Sequence, residues 1–163
     1  MVDFKVLGTV SPGQADAFEA ELGFKLPQDY KMFIEKYNGA SFRGALYWVP
    51  KLNVREDLDI LFGILDNRSL DIRFQRKEMI GEIPNDSLVI GYSSGGGLIV
   101  LSQEYVAFYD HSYYYRQSSD SGNAYKIAGS FSEFLAMLEE PIRIKRHSFA
   151  DGMGPSNANE TSQ

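Results

Sequence analysis

Three short apolar runs, "DSLVIG" (86–91), "GLIVLS" (97–102) and "YVAFYDH" (105–111), constrain this chain most. Each has the length and the β-branched and aromatic content of a strand. The gaps between them are too short to hold a crossover helix, which predicts a β-meander with antiparallel neighbours. The first gap is "YSSGGG", with three consecutive glycines at 95–97.

Glycine clusters between apolar runs can also cradle phosphate. Gly91 and Gly96 have the spacing of a phosphate-binding loop, but Gly97 stands where the lysine belongs. The next residues, "LIVL", read as a strand and not as the helix whose N-terminus would hold the phosphates. A dinucleotide fingerprint fails for the same reason. A hairpin turn, which uses positive φ, accounts for the glycines.

Helices precede this segment. "SPGQADAFEAELG" (11–23) reads as a first helix, with Ser11 as its cap, Pro12 in its first turn and Gly23 as its stop. "FKLPQDYKMFIEKYNG" (24–39) carries the clearest helical pattern. Pro27 opens it, and Tyr30, Phe33, Ile34 and Tyr37 form one apolar stripe. Asn38-Gly39 ends it, since both residues tolerate the left-handed conformation. "RGALYWVP" (43–50) and "LDILFGIL" (58–65) read as strands, and "NRSLDIRFQRKEMIGE" (67–82) as a helix with Leu70, Phe74, Met79 and Ile80 inward. "GSFSEFLAMLEE" (129–140) closes the domain as a helix, with Ser130 and Glu133 at capping-box spacing. After Pro141 the residues are mostly small and polar. We expect one domain over 1–145 and a flexible polar tail over 146–163. The expected fold class is α+β, an antiparallel or mixed sheet of about five to six strands flanked by helices.

Chemistry-bearing motifs are sparse. With no cysteine, thiolate catalysis, thiolate metal sites and disulfides are excluded. Only His111 and His147 supply imidazole. "GYSSG" (91–95) matches a nucleophile-elbow pattern with Ser93 central, so a serine hydrolase using Ser93 and His111 is the enzymatic alternative. Its required helix is missing. "REDLD" (55–59) gathers Glu56, Asp57 and Asp59, yet lacks the glycine and terminal glutamate of a calcium loop; it reads as a solvated acidic turn. No metal and no cofactor is expected.

The net charge is −6. Residues 141–163 hold three cations and two anions, so the body, 1–140, carries −7. Such a body repels nucleic acid and can steer a basic protein partner. "IRIKR" (142–146) is a small basic stretch that reads as solvated. "DHSYYYRQ" (110–117) holds three adjacent tyrosines, which cannot all point inward on a strand. Tyr47, Trp48, Tyr113 and Tyr114 are therefore candidate anchors for a partner, with Glu56, Asp57, Asp59 and Asp110 as the acidic component. No apolar run approaches a membrane span and no secretory leader is evident, so no membrane contact and a cytoplasmic location are expected.

Several motifs recur in the order of a known family: "ELGFKLPQDYKMFIEKYNGASF" (21–42), "LFGIL" (61–65), "LVIGYSSGGGLIVL" (88–101), "VAFYDH" (106–111) and "IAGSFSEFLAML" (127–138). In this order, over about residues 11–140, the chain resembles the SUKH superfamily. That group includes the Smi/Knr fungal cell-wall regulators and many bacterial immunity proteins. The resemblance implies an α+β fold and a non-catalytic protein-binding role. Its bacterial branch implies neutralisation of a polymorphic toxin, often a nuclease, by direct binding. Its fungal branch implies the alternative, a regulatory scaffold in cell-wall or signalling machinery. It transfers no catalytic and no interface residue. We expect a protein partner, a basic toxin domain, and a monomer or weak homodimer.

Overall fold

A computed structural model of the chain describes residues 2–110 and 123–141. The basic stretch 142–146 and the tail 146–163 lie outside the described residues. The described elements run β1 (Phe4–Val6), α1 (Gln14–Leu22), α2 (Gln28–Tyr37), β2 (Ala40–Val49), β3 (Val54–Leu61), α3 (Ile72–Glu78), β4 (Leu88–Tyr92), β5 (Leu98–Leu101), β6 (Val106–Tyr109), β7 (Ala124–Ala128) and α4 (Phe131–Ala136). The strands form one seven-stranded sheet in the order β1 to β7, every neighbouring pair antiparallel. The expected meander is thus β4–β5–β6, and it extends in both directions.

Seven strands exceed the expected five to six because two carry no clear sequence signal. β1 is three residues long, too short to show an alternation. β7, "AYKIA", carries a lysine and an exposed alanine in the manner of an edge strand. β1 covers only Ala40–Phe42 of β2. Further along that same edge of β2, Leu46 exchanges two backbone hydrogen bonds with Glu139, each 2.8 Å. The segment after α4 thereby continues the row that β1 begins, and the Asp3 N–H donates to Glu140 Oε1.

α2 turns its stripe onto the sheet as expected. Tyr30, Phe33 and Ile34 are buried. Phe131 of α4 meets the Tyr30 ring edge-on at 4.9 Å, and Phe134 meets Tyr47 of β2 at 5.6 Å. These rings join α2, α4 and β2 in one core, where each large aromatic contributes on the order of 2 kcal/mol by burial. Asn38 (φ 44°) and Gly39 (φ 91°) both end α2 in the left-handed region. Ser130 caps α4, its hydroxyl accepting from the Glu133 N–H at 3.1 Å.

Two helix starts differ from expectation. α1 begins after Gly13, whose φ of 79° makes the turn, and Ser11 gives no side-chain cap. The predicted helix over 67–82 is a 3-10 turn at Arg68–Leu70 followed by α3. Asp71 interrupts it, because its carboxylate accepts from the Arg73 N–H at 3.3 Å and caps a new helix there. Ile72 becomes the buried residue of α3, while Ile80 is 66% exposed.

A buried carboxylate fixes the Leu-Pro junction between α1 and α2. Glu19 Oε1 accepts from the Leu26 N–H at 2.9 Å, and Oε2 accepts from Lys31 Nζ at 3.0 Å and Lys25 Nζ at 3.1 Å. Burial pushes this carboxyl's pKa up. The Leu26 N–H and the two ammonium groups outweigh that and hold it at about 2, below the ordinary 4.5. A depressed carboxylate stabilises the fold above its unfolded pKa, and that contribution is lost as pH falls through its folded value. Glu19→Gln is expected to cost about 2 kcal/mol at pH 7 by giving up the charge-assisted bonds to Lys31 and Lys25. Guanidinium unfolding should show the gap between wild type and variant narrowing from pH 4.5 towards pH 2. A gap constant across that window would exclude this role for the ionised carboxylate.

Candidate functional site

An acidic groove lies where the β2–β3 hairpin meets the glycine turn. The hairpin closes through a 3-10 turn at Pro50–Leu52, with Asn53 left-handed at φ 57° and its N–H on Pro50 O at 3.1 Å. This tight tip leaves Leu52 and Val54 exposed. The glycine turn joins β4 to β5, as expected. The Ser93 N–H donates to Gly97 O at 2.9 Å and the Gly96 N–H to Ser93 O at 3.0 Å, with Gly96 at φ 87°. The Ser94 hydroxyl donates to Asp57 Oδ2 and ties the turn to β3.

Between tip and turn lies an open groove of about 590 Å³. Leu52, Val54 and Phe108 give it apolar walls, Glu56 and Asp110 give it carboxylates, and Gly95–Gly97 form one side. Gly97 is needed at close quarters: a Cβ there would lie 2.1 Å from the Phe108 ring.

Of the four carboxylates expected of an acidic surface, Glu56 and Asp110 line the groove, while Asp57 and Asp59 lie on β3 outside its lining. Burial raises the Glu56 pKa, and Asp57 and Asp110 raise it further. Burial and then Asp57 do the same to Asp59. Partly desolvated like charges repel, so a cation brought among them relieves the repulsion. "REDLD" is therefore strand and not turn: all five residues belong to β3. Among the described residues no cluster of three or more Asp, Glu or His side chains could hold a metal ion.

The aromatic expectations divide. Tyr47 is 1% exposed and sits in the core, so it is no surface anchor. It stands opposite Glu56 in the β2–β3 register, its ring against Phe134. Burial, Glu56 and Asp57 raise its pKa, and its hydroxyl lies beside Ser93 without a well-formed hydrogen bond. Trp48 points the other way, is 40% exposed and pairs across the strands with Arg55. Tyr113 and Tyr114 lie outside the described residues. The described ends of their segment meet at the groove, where the Asp110 N–H donates to Asn123 O at 2.9 Å.

Ser93 is buried, and its hydroxyl donates to Gly97 O at 3.3 Å. The elbow pattern is thus a strand–turn–strand. His111 lies outside the described residues. Sequence reasoning missed Leu52, Val54 and Phe108 as groove walls. Their spacing carries no motif, and only the hairpin geometry brings them together.

A model of the SMI1 / KNR4 family (SUKH-1) matches residues 9–137. The chain belongs to the SMI1/KNR4 family. The match starts before α1 and ends just after α4, so it covers nearly all of the described fold. No curated protein matches the chain. Among the described residues, no helix is long and apolar enough to cross a membrane.

Proposed function

We propose that this SMI1/KNR4-family chain is a non-catalytic, cytoplasmic binding protein of the immunity type. It holds a basic toxin domain through the acidic groove. One observation carries the reading: Glu56 and Asp110 line an open groove with apolar walls, and Asp57 and Asp59 add negative charge on the same strand as Glu56. That combination suits lysine and arginine side chains, whose methylene stems pack on Leu52, Val54 and Phe108 while their heads meet carboxylates. Exposed Trp48 adds a flanking aromatic contact. No cofactor enters this function.

Co-expression with a toxin encoded beside the gene, scored by survival and co-purification, tests the role. Stopped-flow mixing tests the groove. Raising salt from about 0.05 to 0.5 M is expected to slow association roughly tenfold or more, because exposed charges are screened. The double variant Glu56→Gln/Asp110→Asn should lose most of that salt dependence. A salt-independent rate in the wild type excludes the acidic groove as the docking site.

A further inference from the structure

Asn38-Gly39 is the only Asn-Gly pair in the sequence. In a flexible chain this dipeptide is the one most prone to deamidate, because glycine leaves its own nitrogen unshielded. The deprotonated Gly39 nitrogen bonds to Asn38 Cγ, the Cγ–Nδ2 bond breaks and ammonia leaves. Water then opens the cyclic imide at either carbonyl, giving aspartate or isoaspartate.

The fold holds the Asn38 carboxamide in fixed bonds. Asn38 Nδ2 donates to Thr9 O at 2.9 Å and Ile64 O at 3.0 Å, and Oδ1 accepts from the Ile64 N–H at 2.7 Å. The residue is 1% exposed, so water is kept out. The backbone is wedged as well. Gly63 packs so tightly on Asn38 that a Cβ on Gly63 would lie 2.2 Å from Asn38 O. A Cβ on Gly39 would lie 2.9 Å from Gly63 N. Ring closure requires the main chain to rotate out of this left-handed turn, which the packing forbids.

We infer that Asn38 is a conditional modification site, silent in the folded protein and spontaneously deamidated in the unfolded chain, where the change blocks return to the native fold. The block follows from the same three bonds. Aspartate supplies no N–H for Thr9 O and Ile64 O and places a charge in a site without water. Isoaspartate also adds a methylene to the main chain between two close-packed glycines. Unfolding followed by ageing thus removes molecules irreversibly from the active pool.

The test incubates the full chain at pH 8 and 37 °C, folded in buffer or unfolded in guanidinium chloride, and maps peptides by mass. If reaction proceeds only through the open state, its rate scales with the open fraction, so deamidation at Asn38 should be at least ~100-fold slower in the folded sample. Aged samples are then diluted from denaturant. The fraction that regains native near-UV circular dichroism should equal the fraction retaining Asn38. Asn38→Asp, made directly, should fail to regain the native near-UV signal on dilution from denaturant. Comparable rates in the two samples, or full refolding of deamidated chains, overturns the inference. Neither outcome touches the acidic groove.

Discussion

Asn38→Ala is expected to lower stability by about 4 kcal/mol and the thermal midpoint by roughly 10 °C. Two costs combine. Alanine in the left-handed conformation that Asn38 adopts at φ 44° costs about 1 kcal/mol. The larger part comes from leaving Thr9 O, Ile64 O and the Ile64 N–H buried and unpaired, at about 1 kcal/mol or more each. These bonds tie the loop before α1 and the loop before α3 to the end of α2. Asn38→Gly separates the costs: it removes the strain and keeps the loss of bonds. Thermal and guanidinium unfolding should place it about 1 kcal/mol above alanine and well below wild type. An Asn38→Gly variant as stable as wild type would show that the side-chain bonds contribute nothing.

Gly63→Ala is expected to be at least as damaging, costing about 3 kcal/mol or more. The added methyl would lie 2.2 Å from Asn38 O and 2.6 Å from Asn38 C. Both are backbone atoms of a turn already held on three sides, so neither can retreat as a flexible side chain would. Gly96→Ala is the control. Gly96 has a positive φ of 87°, but an added methyl there would meet no atom within 4 Å, so only backbone strain of about 1 kcal/mol applies. Equal stability of the two variants, measured by guanidinium unfolding, would rule out close approach as the reason for Gly63.

The two glycines separate what a sequence displays from what it conceals. Three adjacent glycines attract notice, yet a methyl added at Gly96 would meet no neighbouring atom. Gly63, inside "LFGIL", looks like a weak point in a strand, but it is where two backbones touch. Local devices were legible: the α2 stripe, the Asn38-Gly39 stop, the Ser130 cap and the β4–β5 turn all depend on residues within a few positions of one another. Effects across the chain were not. "ALYW" is apolar throughout, so its alternation gives no phase. Only pairing with β3 decides that Tyr47 points in and Trp48 out. "REDLD" reads as a turn because its charges hide a strand that buries only Leu58 and Leu61. Asp110 joins Glu56 only because β6 ends beside the hairpin tip. The Asn38 side-chain bonds reach 29 and 26 residues away, beyond any local pattern.

The strand order has a consequence for synthesis. Each strand pairs with the strand preceding it in the chain, so as residues leave the ribosome every new strand finds its partner already made. No segment need wait for a distant strand, and few edges stay open for another nascent chain. Among the described residues, one sheet contact breaks this rule. The Leu46–Glu139 bridge joins residues from distant parts of the domain and cannot form until the last helix has emerged. It is the closing step of a structure that otherwise assembles in the order it is translated.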